Sequence, residues 1–191
     1  YLGLVGHPRI NEAAKKAVDK FGTGTNGVRL LAGTLTIHKE LEETIANFKH
    51  AEAAVTYSSG YVTNLTVISG LMGRGDYVFS DKLNHASIVD GCLMSGAEFR
   101  RFRHNDMEHL AGLLENAPTD VAKMVVADAV FSMDGDIIDL PKIVALCKQY
   151  NAWLMIDEAH SVGVLGKTGT GIEEHFNMYG AIDIKMGTLS K

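Results

Sequence analysis

Two residues near the end of the 191-residue sequence could do chemistry together. Asp157 follows Trp153-Leu154-Met155-Ile156, a run without polar alternation, as expected of a strand covered on both faces. A carboxylate in that place is costly unless something positive meets it. The residue types allow a helix cap or buried ion pair, a metal site with His160, or an acid facing a cationic heterocycle nitrogen. No third ligand cluster accompanies Asp157 and His160, so the metal reading lacks support. Lys191 closes Gly187-Thr188-Leu189-Ser190-Lys191, which follows a further short strand, Ile182 to Gly187. A lysine after a serine is ordinarily a solvated surface residue. Here two strands of one sheet would carry an amine and a carboxylate to the same rim.

The elements that must position these groups alternate between helical and strand patterns, the mark of an α/β domain with a largely parallel sheet. Asn11 to Phe21 reads as a helix, Gly22 to Gly33 as a glycine-rich loop, and His38 to His50 as a helix with Leu41, Ile45 and Phe48 at helical spacing. Ala53 to Tyr57 reads as a strand that passes through Ser58-Ser59-Gly60 into a helix ending near Met72. Strands are expected at Tyr77 to Ser80, Glu98 to Arg103 and Lys123 to Phe131, with a helix from Ala86 to Ser95. Asn105 with Glu108 resembles a capping box opening a helix through Leu110, Leu113 and Leu114, and Pro141 suits the first turn of a helix reaching Tyr150. Ligands in open α/β sheets gather outside the carboxyl ends of the strands, where Asp157 and Lys191 fall.

Composition narrows the partners. The chain is 46% hydrophobic and 21% charged, ordinary for a folded domain, and its longest apolar runs fall far short of the ~20 residues that cross a bilayer. A net charge of -5 argues against nucleic acid as the main partner. The basic group Arg100, Arg101, Arg103 and His104 reads as a strand flank facing water, with attraction for a phosphate-bearing substrate as the minor reading. Cys92 and Cys147 lack zinc or redox spacing and suit buried positions in a reducing cytoplasm. No secretory leader is recognisable, and Tyr1 in place of a methionine points to a missing N-terminus.

A pyridoxal-phosphate enzyme needs a lysine to hold the cofactor and an acid for its ring nitrogen, the pair that Lys191 and Asp157 would supply. The surrounding segments resemble the α-oxoamine synthases, members of the fold-type I (aspartate-aminotransferase-like) group. The resemblance rests on Tyr1-Leu2-Gly3-Leu4, Gly33-Thr34 with His38 and Leu41-Glu42, Ser59-Gly60-Tyr61 with Asn64, and Asn84-His85-Ala86-Ser87. It continues through His104-Asn105-Asp106, Phe131-Ser132-Met133-Asp134-Gly135-Asp136, Asp157-Glu158-Ala159-His160 and Thr188-Leu189-Ser190-Lys191. These stand in the family's order over nearly the whole chain. One departure is Gly169-Thr170-Gly171, where many relatives have Gly-Arg-Gly.

The resemblance implies that Lys191 carries pyridoxal 5'-phosphate covalently and that Asp157 lies beneath its pyridine nitrogen. At an effective dielectric of ~20, such a pair about 4 Å apart gains roughly 4 kcal/mol, or about three pKa units. Gly60 and Tyr61 would offer helix-opening N–H groups to the phosphate, joined by the hydroxyl of Thr188. Ser132 and His160 would contact the cofactor near its phenolic oxygen. His85 would lie against the ring face opposite the lysine and touch the substrate carboxylate; the competing role is to cap the helix beginning at Ala86. His38, His50, His104, His109 and His175 are expected to be caps or surface residues.

The implied activity is condensation of an α-amino acid with an acyl thioester, on CoA or acyl-carrier protein, ordinarily with decarboxylation, to give an α-aminoketone. The implied architecture is a cytoplasmic homodimer with shared active sites. Residues 1–191 would form an incomplete cofactor-binding large domain, without the C-terminal small domain. Rival readings are another fold-type I enzyme, an aminotransferase or amino-acid decarboxylase, and a non-catalytic paired subunit.

Overall fold

The chain forms seven helices: α1 (Pro8–Phe21), α2 (Thr36–Phe48), α3 (Gly60–Leu71), α4 (Ala86–Ser95), α5 (Met107–Glu115), α6 (Leu140–Gln149) and α7 (Ile172–Phe176). The shorter apolar runs become strands β1 (Tyr77–Asp81), β2 (Glu98–Phe102), β3 (Lys123–Asp128), β4 (Trp153–Asp157) and β5 (Ile184–Met186). The computed structural model describes residues 1–191 and arranges the strands in the order β2-β1-β3-β4-β5, every neighbouring pair parallel.

The sheet is buried on both faces because successive strand side chains point to opposite sides. Phe79, Val125, Ala127, Leu154 and Ile156 enter one core, where Leu110 and Leu114 of α5, Ile143 of α6 and Ile172 of α7 meet them. Val78, Met124, Val126, Met155 and Met186 enter the other, closed by Ile68 of α3 and Ile88 and Cys92 of α4. Two-sided burial explains why Leu154-Met155-Ile156 shows no polar alternation. Cys92 and Cys147 are buried in these cores as free thiols, and burial pushes both up to about 12.

The chain divides into two compact units, Tyr57–Ser190, which holds the sheet, and Tyr1–Thr56 together with Lys191. Within the smaller unit α1 buries no residue and α2 buries only Ala46. Arg29 grips Glu42 with two guanidinium contacts, Nη1 to Oε1 at 2.8 Å and Nη2 to Oε2 at 3.0 Å. Thr56 joins them, its N–H donating to Glu42 Oε1 at 2.8 Å and its hydroxyl lying 2.9 Å from Arg29 Nη1.

Three local expectations need correction, and one short helix was not foreseen. Residues 53–57 form no strand: no neighbour offers a ladder, and β-type composition alone does not make one. The third strand ends at Asp128 rather than Phe131, and beyond it Val130 pairs antiparallel with Ile137 in an isolated bridge. Asp106, not Asn105, caps α5 by accepting from the His109 N–H at 2.8 Å; Asn105 takes a left-handed backbone at φ 50°. The five-residue α7 is too short to leave a periodic signal. The arginines of the basic flank face water as expected, with Arg100 on Glu98 at 3.1 Å and Arg103 on Asp106 at 2.7 Å, both at the surface.

Candidate active site

The order β2-β1-β3-β4-β5 contains one reversal, between β1 and β3, and open α/β sheets gather ligands at such a reversal, outside the carboxyl ends of the strands. β1, β3 and β4 each end on an aspartate, Asp81, Asp128 and Asp157, all buried. Asp128 and Asp157 are register partners on adjacent strands. The loop leaving β1 reaches across the reversal. Buried Asn84 donates to Ser80 Oγ and to the Val126 carbonyl, each at 2.8 Å, and its Oδ1 accepts the Asp128 N–H at 2.9 Å. The next residue, His85, donates its backbone N–H to Asp128 Oδ2 at 3.2 Å.

Asp157 is 6% exposed, and its carboxylate receives only neutral donors. Asn64 Nδ2 donates to Oδ2 at 2.7 Å and the Ala159 N–H to Oδ1 at 2.9 Å. No basic side chain pairs with it, so the anion is buried without a counter-charge. Neither role that competed for Asp157 at the sequence level, ion pair or helix cap, is realised. An anion so placed is the environment in which a cationic ring nitrogen is held protonated.

His85 caps α4, its Nδ1 accepting the Ser87 N–H at 3.2 Å, as its place before Ala86 allowed. The same side chain is exposed. Ser87 Oγ lies 2.7 Å from His85 Nδ1 and accepts from Asn64 Nδ2 at 2.9 Å. The structure therefore joins His85 to Asp157 through two side chains.

A second group forms where α3 begins. Ser59 caps the helix by accepting from the Val62 N–H at 3.2 Å, and the N–H groups of Gly60 and Tyr61 take no carbonyl partner. A Cβ on Gly60 would lie 3.0 Å from Met186 Cε and 3.7 Å from Thr188 Cβ, which places the helix opening beside the segment leaving β5. Thr188 Oγ1 is 2.7 Å from Ser190 Oγ and accepts the Ser190 N–H at 3.2 Å. Two open amides, a hydroxyl and a helix N-terminus suit a phosphate. The Tyr61 ring points elsewhere: its hydroxyl bonds the Asp90 carboxylate, which holds the phenol above its ordinary pKa.

Ser132 lies exposed in the turn after β3, and His160 is half-buried in the turn after β4. Lys191 is exposed and belongs to the unit of residues 1–56. Taken together, the buried acid without a counter-charge and the amide-lined helix opening fit pyridoxal phosphate, whose ends are a cationic ring nitrogen and a phosphate.

Of the histidines expected to be caps or surface residues, His38 caps α2 and His104 does neither. His104 is clamped between Asp81 Oδ1 at 3.0 Å and Asp136 Oδ2 at 2.6 Å, with Phe131 edge-on to its ring at 4.4 Å. The clamp pins the Ser132–Asp136 turn to the end of β1. Asn64 and Ser87 have no role in the expectations drawn from the sequence. Their signal was a polar pair inside helices that are otherwise apolar toward the sheet. In Gly169-Thr170-Gly171, the departure from the family pattern, Thr170 Oγ1 donates to Glu174 of the following helix α7 at 3.0 Å.

Comparison with known proteins points to the same cofactor. Residues 1–191 match the family described as Aminotransferase class I and II. The chain is 52% identical to the 8-amino-7-oxononanoate synthase of Geobacter sulfurreducens and 48% identical to that of Thermoanaerobacter pseudethanolicus, covering 100% of itself and 49% of each. Among solved structures it resembles a serine palmitoyltransferase from S. paucimobilis with a bound PLP–myriocin aldimine (TM-score 0.96, 44% identity, 100% of this chain and 48% of that one). It also resembles the 8-amino-7-oxononanoate synthase of Francisella tularensis (TM-score 0.76, 32% identity, 97% and 49%). The chain thus spans about half the length of the relatives it matches. Both kinds of relative are α-oxoamine synthases of the pyridoxal-phosphate-dependent transferase fold, and the chain belongs to the aminotransferase class I and II family.

Proposed function

We propose that the protein containing this chain is a pyridoxal-phosphate-dependent acyltransferase. It would join an α-amino acid to an acyl thioester, release the thiol and carbon dioxide, and yield an α-aminoketone. The observation that carries this reading is the buried Asp157 carboxylate, oriented by Asn64 and Ala159 and left without a counter-charge at the sheet's carboxyl rim.

When bound, the cofactor supplies a covalent anchor for the amino group and a cationic ring that draws electrons from Cα. The roles of the chain's own residues follow from their chemistry. Asp157 keeps a proton on the ring nitrogen. Gly60 and Tyr61 offer N–H groups, and Thr188 a hydroxyl, to the phosphate. Ser132 and His160 serve the phenolic oxygen. His85 presents its Nε2 to the substrate carboxylate, and the Lys191 amine takes the anchor position and then moves the Cα proton. Residues 1–191 form the large part of the cofactor-binding domain. Two such chains make a dimer, supported by exposed apolar side chains such as Val5, Leu30 and Leu31 in the smaller unit. Unpaired, buried Cys92 and Cys147 suit a reducing compartment, the cytoplasm.

The relatives named for 8-amino-7-oxononanoate direct the first trial. Its carbon skeleton is that of alanine joined to a pimeloyl group with loss of carbon dioxide. Full-length protein loaded with pyridoxal phosphate is therefore assayed with amino acids against acyl thioesters, read by thiol release and product mass. An aminoketone from alanine and pimeloyl thioester is the expected product. Amino-group transfer or simple decarboxylation without thiol release would identify a different reaction of the same fold. Borohydride reduction and peptide mapping should place the pyridoxyl group on Lys191; an adduct on another lysine would overturn that assignment.

A further inference from the structure

Asp157 and His85 arise from different parts of the sequence, yet one continuous line of hydrogen bonds links them, and its direction can be read atom by atom. Asp157 Oδ2 can only accept, so the Asn64 atom 2.7 Å away is the amide nitrogen. The same nitrogen spends its second hydrogen on Ser87 Oγ at 2.9 Å. Turning the amide over would set Asn64 Oδ1 against the carboxylate. The protein keeps the orientation even though Oδ1 is buried without a hydrogen-bond partner. At the far end, the Ser87 backbone N–H can only donate, so His85 Nδ1 carries a lone pair rather than a proton. Ser87 Oγ, which accepts from Asn64, is then free to donate its own hydrogen to His85 Nδ1 at 2.7 Å. Ser87 Oγ alone both accepts and donates, and so passes the direction set at Asp157 on to His85. The imidazole proton is left on Nε2.

We propose that Asn64 and Ser87 are positioning residues that couple the Asp157 carboxylate to His85. They fix the carboxylate rotamer and hold the imidazole as the Nε2–H tautomer, a donor suited to a substrate carboxylate. The assignment rests on the pyridoxal-phosphate reading for its purpose, but the tautomer itself is a property of the protein. Asn64 and Ser87 are each 1% exposed, so neither touches substrate and both act through the residues they hold. A relay also predicts a pattern that independent packing contacts would not give. Breaking it at Asn64 or at Ser87 has the same consequence at His85, and breaking it twice adds nothing.

The test uses full-length protein with and without pyridoxal phosphate, as wild type, Ser87→Ala, Ser87→Thr, Asn64→Ala and the Ser87→Ala/Asn64→Ala pair. Nitrogen-15 histidine spectra, with His85 assigned by its loss in His85→Gln, report the tautomer without reference to turnover. Wild type is expected to show Nε2–H alone in both forms, and Ser87→Ala and Asn64→Ala to show mixed tautomers. With cofactor, kcat of each single variant is expected to fall roughly 10- to 100-fold with KM for the amino acid little changed, as for other residues that orient a reacting group. The double variant should be no worse than the weaker single, and Ser87→Thr should restore both signals. Unchanged tautomers in Ser87→Ala and Asn64→Ala, or losses in kcat that multiply in the double variant, would overturn the proposal. A wild-type Nε2–H signal in protein that binds no pyridoxal phosphate would preserve the relay and refute the cofactor reading instead.

Discussion

At the scale of the residue, the site is governed by which carboxylates have partners. Replacing Asp157 with Asn keeps the volume but leaves one acceptor for two fixed donors, Asn64 Nδ2 and the Ala159 N–H. An unmet buried donor costs about 1–3 kcal/mol, partly offset by removing a buried charge, so Asp157→Asn is expected to fold. It should lose at least 100-fold in turnover, consistent with a lost charge pair worth several kcal/mol at the ring nitrogen; turnover near wild type would make Asp157 structural. His104 behaves differently. Burial lowers it, but hydrogen bonds to Asp81 and Asp136 and their charges outweigh that and leave it above its ordinary value. A raised histidine stabilises the fold fully below the unfolded pKa near 6.5, and that contribution fades as pH rises through the higher folded value. The melting-temperature gap between wild type and His104→Gln should therefore be wide near pH 6 and close toward pH 9. Asp157 was legible in the sequence because an acid ending an unbroken apolar run stands out. Asn64 was not: an amide inside a helix is a weak signal, and its meaning appears only when Asp157 and Ser87 are beside it.

At the scale of the element, the relay depends on how closely α3 and α4 approach. Their contact contains Gly91, where a Cβ would lie 2.9 Å from the Asn64 carbonyl oxygen and 3.2 Å from Ile68 Cδ1. The first is backbone and cannot swing aside, so α4 must shift away from α3. Gly91→Ala would gain up to about 1 kcal/mol of helix propensity, while overpacking costs about 1–3 kcal/mol. The expected outcome is a net loss of about 1 kcal/mol in urea unfolding. A loss of turnover resembling that of Ser87→Ala should accompany it, because Ser87 rides on the displaced helix. A stabilised, fully active variant would mean that the helices have slack. The central strands β1, β3 and β4 were readable because they are buried on both sides and bounded by turns, while the edge strand β2 is largely exposed. Residues 53–57 have strand-like types but no neighbour to pair with, and pairing is a property of the sheet rather than of the segment. Asn105 and Asp106 are both good caps by type. The choice falls to Asp106 because Asn105 is engaged elsewhere, donating to the Ile137 carbonyl at 3.1 Å and accepting the Asp139 N–H at 3.1 Å.

At the scale of the molecule, the smaller unit raises a different question: what holds a segment whose first helix buries nothing. Arg29 answers part of it. Its guanidinium meets both oxygens of Glu42, and the Thr56 N–H and hydroxyl share Oε1, tying the glycine-rich loop, α2 and the segment after it together. These bonds, the one to Arg29 foremost, hold Glu42 down to about 2. A depressed carboxylate stabilises above its unfolded pKa near 4.5 and loses that effect only as pH falls toward about 2, so the clamp is intact at neutral pH. The residues directly after Arg29 are Leu30 and Leu31, 97% and 86% exposed. Apolar side chains so fully exposed are suited to burial against another surface, and the proposed second copy supplies one. Leu30→Glu/Leu31→Glu should then shift full-length protein from dimer to monomer in sedimentation equilibrium. Arg29→Lys replaces a two-pronged contact with a point charge and frees the loop without touching the apolar surface. It is expected to weaken the dimer by about tenfold, the factor that corresponds to 1.4 kcal/mol, with little change in the melting temperature of the larger unit. If the double leucine variant stays dimeric, Leu30 and Leu31 are covered by the protein's own remaining chain, and the clamp serves that contact instead.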